Sequence, residues 1–149
     1  MPSAAKPTNM IDTVVVATDG SASVQRAVDV ALDLATRFDA EVHALYVIDE
    51  SEVDGSPEEL REELRDALEE KGQDALDAVR ERTDRELVTD VREGRPAVEI
   101  SNYAREVEAD VVATGTRGRH GEHRFLLGSV AERVVRSCPV PVLSVRQLA

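Results

Sequence analysis

The sequence predicts an α/β protein built on a doubly wound, five-stranded parallel sheet of strand order 3-2-1-4-5, with helices on both faces. Two observations and one rule of chain connection lead to this fold class. Short β-branched runs alternate with segments whose apolar residues recur at helical spacing. The runs are too uniformly apolar for one face of the sheet to meet water, which calls for helices on both sides. Because crossovers between parallel strands are right-handed, few strand orders remain.

The first three elements follow from composition and period. TVVVATD, residues 13–19, is rich in valine and suits a strand that is buried on both faces. From Ser21 onward, apolar residues recur three and four positions apart, which predicts a helix. Its apolar positions are Val24, Ala27, Val28, Ala31, Leu34, Ala35 and Phe38. EVHALYVI, residues 41–48, predicts the second strand.

A polar loop and a second helix are expected next. ESEVDG, residues 50–55, is mostly acidic and predicts the loop. SPEE, residues 56–59, is a strong helix start, because Ser56 can cap the helix, Pro57 suits its first position and Glu59 completes a capping box. The apolar stripe of this helix comprises Leu60, Leu64, Ala67, Leu68, Ala75 and Val79.

The C-terminal half continues the alternation. Strands are predicted at residues 85–91, 110–115 and 140–145, and EGRP at residues 93–96 turns the chain into the third helix. The apolar positions are Ala97, Ile100, Ala104 and Val107 in the third helix, and Val130, Ala131, Val134 and Val135 in the fourth.

Composition bounds the class of protein and its partners. A chain of 149 residues suits a single domain, expected at residues 11–149 after a flexible tail at residues 1–10. The net charge of −12 argues against nucleic acid or an anionic membrane as partner. Lys6 and Lys71 are the only lysines beside sixteen arginines, and an acidic, lysine-poor surface is expected of a halophilic protein.

The sequence shows neither a membrane-spanning run nor a signal peptide, and both absences bear on the cellular compartment. No apolar run approaches the roughly 18 residues that a membrane span needs. The first ten residues contain no hydrophobic stretch and do not resemble a signal peptide. We therefore expect a cytoplasmic protein.

Glycines cluster where the predicted fold would bind a ligand. In a sheet of this order, ligands bind beyond the carboxyl ends of strands 1 and 4, where the strand order reverses. The first strand is expected to end at Asp19 and the fourth at Gly115. Gly115 also begins GTRGRHGEHRFLLGS, residues 115–129, which contains Gly118 and Gly128 as well.

The spacing of these glycines indicates phosphate binding. Gly115 and Gly118 would let backbone N–H groups approach an anion closely. Gly128 and Ser129 would open the fourth helix, whose first N–H groups favour an anion. The Ser129 hydroxyl could cap this helix or donate to a phosphate oxygen. Ordinary turn chemistry is the alternative explanation for the same residues.

Local charge in this segment is opposite to that of the chain. Arg117, Arg119 and Arg124 against Glu122 give +2. A bound polyphosphate would explain the inversion, although the arginines could also pair with surface acids.

Asp19 is the second candidate at this crevice. Its carboxylate could accept hydrogen bonds from ribose hydroxyls or help to hold a divalent metal, or it could cap the first helix. Competing motifs are absent, because there is no GxxxxGK[ST] loop and no GxGxxG spacing. His43, His120 and His123 do not form a metal set, and Cys138 as the only cysteine excludes a disulfide framework and a CxxC metal site.

Three stretches resemble the universal stress protein family. VVVATDGS at residues 14–21 resembles its opening strand and aspartate, and ALYVID at residues 44–49 its second strand. Residues 115–145 match the glycine signature G-2x-G-9x-G-[ST] of the members that bind ATP, together with the helix and strand that follow it.

The resemblance implies an adenine nucleotide α-hydrolase-like fold that binds ATP, or ADP or AMP, with Mg²⁺ or Mn²⁺. It carries over eleven binding positions, namely Ala17, Thr18, Asp19, Val47, Gly115, Arg117, Gly118, Arg119, Gly128, Ser129 and Val130. Asp19 would contact the ribose and the metal-bridged phosphates. The backbones of Ala17, Thr18 and Val47 would line the adenine pocket, and the later positions would wrap the phosphates.

The resemblance also implies a homodimer through the fifth strand, residues 140–145. This strand would lie at a sheet edge, and such edges are usually paired or protected. Pro139 and Pro141 remove N–H donors there, as befits an edge.

The leading hypothesis is therefore an ATP-binding, dimeric, nucleotide-dependent switch in a stress response. Hydrolysis would be slow at most, because the sequence offers no evident general base. A dimeric interaction module that needs no nucleotide is the alternative. A phosphoacceptor receiver domain is disfavoured, because ATDGS has one acid rather than a cluster and LSVRQLA has no lysine.

Overall fold

The computed structural model describes residues 10–116 and 128–148. Within them the strands are β1 Thr13–Ala17, β2 Glu41–Asp49, β3 Leu87–Gly94, β4 Val111–Gly115 and β5 Val142–Val145. The helices are α1 Gln25–Phe38, α2 Glu50–Asp54, α3 Arg61–Arg80, α4 Pro96–Glu106 and α5 Ser129–Ser137. Short 3₁₀ turns at Ala22–Val24 and Glu58–Leu60 precede α1 and α3. The predicted tail lies mostly outside the described residues.

The sheet confirms the predicted topology. All its strands are parallel, in the order β3-β2-β1-β4-β5. Val15 of the central strand stands between His43 of β2 and Val112 of β4. The carboxyl ends of β1 and β4 are therefore neighbours at one edge of the sheet.

Two apolar cores lie on opposite faces, because successive side chains of a strand point to opposite sides. Val14 and Val16 pack with α1 and α3 in what we call the α1/α3 core. Val15 packs with α4 and α5 in the α4/α5 core, which also contains Leu45 and Val112. Helices on both faces are thus confirmed.

β1 ends at Ala17, two residues before its predicted end. A tight turn replaces the last two positions, because Gly20 takes a positive φ of 77° and the Ser21 N–H donates to Asp19 Oδ1 at 2.9 Å. The helix expected from Ser21 accordingly begins with a 3₁₀ turn, and α1 itself starts at Gln25.

The loop predicted at residues 50–55 is wrong, because α2 occupies most of it. Asp49 caps this helix by accepting the Ser51 N–H at 3.0 Å, and Val53 is fully buried in the α1/α3 core. A short helix can therefore be acidic in composition and still be anchored by one apolar residue.

The predicted capping box is also wrong. Ser56 Oγ donates to the Val53 carbonyl at 2.7 Å, so its hydroxyl serves the end of α2. Pro57 precedes a 3₁₀ turn that has no side-chain cap, and α3 starts only at Arg61.

The observed bounds of β3, β4 and β5 differ from the predicted ones. β3 runs through Gly94 rather than stopping at Val91, because β2 pairs with it as far as Asp49. β4 and β5 begin one and two residues later than predicted.

Several predicted stripe positions are not buried. Leu60 is 48% exposed, Val135 is 47% exposed, and Ala67 is exposed as well. Leu32 and Leu76, absent from the predicted stripes, are buried in the α1/α3 core instead. In the described part of the chain, no helix is long and apolar enough to cross a membrane.

Candidate functional site

The candidate site lies at the carboxyl ends of β1 and β4. Val16 pairs with Ala113 in register, so Ala17 and Thr114 follow side by side. Gly115, the last residue of β4, is buried. Two adjacent strands therefore end together at the point where the strand order reverses, as the sequence predicts.

The turn after β1 holds Asp19 in a fixed position. The Thr18 N–H donates to the Leu45 carbonyl at 2.9 Å, and the Gly20 N–H donates to Thr18 Oγ1 at 3.1 Å. The Ser21 N–H donates to Asp19 Oδ1, so this carboxylate closes its own turn rather than capping α1. Asp19 Oδ2 makes no hydrogen bond to a described residue.

Metal ligands are sparse around this carboxylate. No group of three or more His, Cys, Asp or Glu side chains among the described residues could hold a metal ion. Asp19 alone supplies too few oxygens for Mg²⁺, which is usually held by one or two carboxylates together with phosphate oxygens and water. A metal here would need a ligand that brings its own oxygens.

Backbone hydrogen bonds join the two ends of the predicted phosphate loop. The Gly128 N–H donates to the Thr116 carbonyl at 2.6 Å, and the Thr116 N–H donates to the Val145 carbonyl at 3.2 Å. The start of α5 is thereby fixed beside the end of β4. Arg117, Gly118 and Arg119 lie outside the described residues, as do His120, His123 and Arg124.

The N-terminus of α5 has no side-chain cap. Gly128 is the residue before the helix, and the Glu132 N–H donates to its carbonyl at 2.9 Å. The first N–H groups of a helix, here those of Ser129 and Val130, have no intrahelical partner. Ser129 is the first helical residue, so its predicted alternative role as the cap is wrong.

The backbone of Gly128 does not require glycine. Its φ of −65° and ψ of 160° are extended values that any residue adopts. A residue with an oxygen-bearing side chain would cap the helix better. The backbone angles therefore give no conformational reason for glycine at this position.

Two of the three residues proposed for the adenine pocket, together with Val130 of the proposed phosphate set, lie on one face of the sheet. Ala17, Val47 and Val130 are all partly buried against the α4/α5 core. They come from β1, β2 and α5, so three separate elements approach the same crevice. Thr18 belongs to the opposite side and is also buried.

Behind the Asp19 turn lies a groove that the sequence did not predict. It has a volume of about 240 Å³ and lies between the turn, α1 and α3. Val28 and Val79 form part of its floor, and Lys71 and Asp74 stand at its rim. Ala17 and Val47 lie on the opposite face of the sheet from this groove, whereas Thr18 and the Asp19 turn form part of its wall.

A buried polar network was also missed. His43 on β2 contacts Tyr103 Oη at 2.7 Å through Nδ1 and Glu41 Oε1 at 2.6 Å through Nε2. The Arg92 guanidinium lies 4.7 Å from the centre of the Tyr103 ring and pairs with Glu106. A single histidine inside an apolar strand was the signal that could have found it.

The network holds the charges of Arg92 and Glu106 together at the C-terminal end of α4. Hydrogen bonds from Arg92 lower the pKa of Glu106, and burial raises the pKa of Tyr103. Tyr103 stands in the last turn of α4, whereas the helix begins at Pro96 near the carboxyl ends of the strands. The network therefore anchors α4 to the sheet and is separate from the candidate site.

Sequence comparison gives the chain a family. A model described as the universal stress protein family matches residues 10–146. Universal stress protein MJ0531 of Methanocaldococcus jannaschii is 41% identical over 143 residues, which cover 93% of this chain and 84% of that protein. Universal stress protein YxiE of Bacillus subtilis is 33% identical over 148 residues, covering 92% of this chain and 100% of the relative.

Solved structures agree in fold. The hypothetical protein MJ0577, solved to assign its biochemical function, has a TM-score of 0.83 at 28% identity, covering 95% of this chain and 99% of that one. The universal stress protein UspA of Lactobacillus plantarum has a TM-score of 0.80 at 29% identity, covering 93% and 100%. A universal stress protein in complex with cAMP has a TM-score of 0.67 at 26% identity, covering 93% and 98%.

Proposed function

The chain belongs to the universal stress protein family, and we propose that it binds an adenine nucleotide, foremost ATP, at the carboxyl ends of β1 and β4. The observation that carries this proposal is the uncapped start of α5, fixed beside the end of β4 by the bond from Gly128 to Thr116. Such a helix start favours anions. The related protein solved with cAMP supports an adenine nucleotide as the ligand class.

Each part of the nucleotide has residues that suit it. Ala17 and Val47, with the Thr18 backbone, would hold the base. Asp19 would accept from the ribose through Oδ2, which its turn leaves available. The phosphates would lie against Gly115 and the start of α5, whose carried-over positions are Gly128, Ser129 and Val130. Arg117, Gly118 and Arg119 would complete the phosphate loop.

A divalent cation would enter with the nucleotide. Mg²⁺ or Mn²⁺ would neutralise phosphate charge, and Asp19 is the one predicted site residue that could contribute a carboxylate to it. Most ligands of the ion would then be phosphate oxygens and water. Hydrolysis is proposed to be slow at most, which fits a cytoplasmic stress-response switch better than a fast enzyme.

The direct test is titration calorimetry with ATP and magnesium on wild type and Gly128→Val. Because valine readily adopts the extended backbone angles of this position, the variant is expected to fold normally. Its side chain would occupy the space in front of α5. Hydrogen bonds to charged oxygens are worth ~1.5–3 kcal/mol each, so we expect ATP affinity to fall by about tenfold or more.

Ser137→Ala, at the other end of α5, is the matched control and is expected to bind as wild type does. Failure of wild type to bind any adenine nucleotide would refute the proposal. Equal binding by wild type and Gly128→Val would refute the assignment of the phosphates to α5.

The edge strand suggests how the switch would assemble. Leu143 on β5 is 38% exposed, so the open edge of the sheet carries an exposed apolar side chain, and Val135 on α5 is 47% exposed as well. We propose that residues 140–145 pair with the same strand of a second copy in a two-fold dimer. Sedimentation should give about twice the chain mass of 16.3 kDa.

A clean monomer at micromolar concentration would contradict the dimer. The alternative function, a nucleotide-independent interaction module, would use the same edge strand and its exposed Leu143. A dimer whose purified form carries no nucleotide and binds none would favour that alternative.

A further inference from the structure

Two hydroxyl groups are buried at the carboxyl end of the sheet without good partners. Thr114 is 7% exposed, and among the described residues its hydroxyl donates only to the neighbouring Gly115 carbonyl, at 3.2 Å. Ser144 Oγ is inaccessible to water and has no hydrogen-bond partner among the described residues. Valine would be the usual residue in the middle of such parallel strands.

Strand register places the two hydroxyls side by side. Thr114 of β4 pairs directly with Ser144 of β5. Two residues earlier on the same strands, Val112 and Val142 pack in or against the α4/α5 core. Because side chains alternate between faces, Thr114 and Ser144 face that same side.

The row that contains them crosses the sheet beneath the candidate site. Leu45 of β2 pairs with Ala17 of β1, and Ala17 stands beside Thr114. Across β2, β1, β4 and β5 the row therefore passes from the apolar Leu45 and Ala17, on the side proposed for the base, to a hydroxyl half on the side of α5, and Asp90 of β3 ends the row beyond Leu45. Gly115 follows Thr114 directly, where the predicted phosphate loop begins.

We propose that Thr114 and Ser144 are specificity-determining residues of the nucleotide site, whose hydroxyls donate hydrogen bonds to the phosphate next to the ribose. This inference rests on the proposed function. A buried hydroxyl without a partner is destabilising, so a ligand that supplies acceptors would gain what the free protein lacks. Phosphate oxygens accept strongly, and the hydroxyl half lies between the base side and the start of α5.

If the two hydroxyls only supported packing, their removal would lower the melting temperature and leave ligand affinity unchanged. A role in ligand binding predicts the opposite. Thr114→Val keeps the shape of the side chain and removes only the hydroxyl. Because this hydroxyl has a single long contact, its loss is not expected to lower the melting temperature of the ligand-free protein. Affinity for a phosphate would fall all the same.

The experiment compares AMP with adenosine by titration calorimetry for wild type, Thr114→Val and Ser144→Ala. We expect each variant to bind AMP about tenfold more weakly than wild type, adenosine to change less than twofold, and the melting temperature to hold. Ser101→Ala is the matched control. Its hydroxyl is also without a described partner, in a residue 4% exposed, but lies within α4.

Three results would overturn the inference, each in a different way. AMP affinity within twofold of wild type in both variants would show that the hydroxyls do not reach the ligand. Equal losses for AMP and adenosine would move the contact from the phosphate to the nucleoside. If wild type binds neither AMP nor ATP, the proposed function fails first and this inference with it.

Discussion

Two glycines near the candidate site serve different physical purposes. Gly20 has a φ of 77°, a left-handed value that favours glycine, and it allows the tight turn that holds Asp19. Gly128 has ordinary extended angles, so its value lies in the missing side chain. The sequence alone cannot distinguish these two reasons, because backbone angles are not visible in it.

A third glycine, Gly72, is required by packing between α3 and β2. A Cβ built on Gly72 would lie 2.6 Å from Cδ1 of the buried Tyr46 ring. Overpacking a core costs ~1–3 kcal/mol, while alanine gains about 1 kcal/mol of helix propensity over glycine. We expect Gly72→Ala to lower the free energy of unfolding by about 1 kcal/mol, measured by urea denaturation. Gln73→Ala, on the exposed side of the same turn, should change it by less than about 0.5 kcal/mol.

A Gly72→Ala variant more stable than wild type would contradict this packing. It would mean that the Tyr46 ring moves aside at little cost. The same measurement therefore reports on how rigidly α3 rests on the sheet beside the groove behind the Asp19 turn.

At the scale of secondary-structure elements, hydrophobic periodicity and residue composition were sufficient to predict the strands and the long helices. The valine runs of β1 and β4 are buried on both faces of the sheet, and such continuous apolar runs are typical of strands inside a parallel sheet. The acidic composition of residues 50–55 predicts a loop, although Asp49 and Val53 make most of this segment a helix. Caps depend on single hydrogen bonds, so composition over six residues does not reveal them.

The candidate site was predicted in part for a similar reason. The switch point follows from strand order, so Asp19 and Gly115 could be placed near one another from the sequence. Ser129 was offered two roles, and only the position of Gly128 before the helix removes one of them. The sequence does not single out the hydroxyls of Thr114 and Ser144, because their proximity and their missing partners become visible only when the strands are in register.

Net charge governs the behaviour of the whole molecule. Surface ion pairs such as Arg82 with Asp29 and Arg65 with Glu93 are worth at most about 1 kcal/mol each. Against them stands the self-repulsion of a chain with a net charge of −12. At 1 M salt the Debye length is about 3 Å. We therefore expect that salt stabilises the protein more by screening the repulsion than it destabilises it by weakening the surface ion pairs.

We therefore propose that the protein is halophilic and expect its melting temperature to rise from low to multimolar potassium chloride. A gain of about 1–2 kcal/mol corresponds to roughly 2–8 °C for a domain of this size. A variant with glutamine at the exposed α3 positions Glu62, Glu63, Glu69 and Glu70 loses four negative charges and should respond less to salt. Greater stability at low salt would contradict the proposal.

The proposed nucleotide site depends most on main-chain amides that bind phosphate where β1 and β4 end. Backbone amide chemical shifts, followed by NMR during titration with ATP and magnesium, report on these groups directly. We predict the largest changes at Gly115, Gly128, Ser129 and Val130, with little change around Tyr103. The largest changes at Lys71 and Asp74, in the groove behind the Asp19 turn, or no change at all, would contradict it.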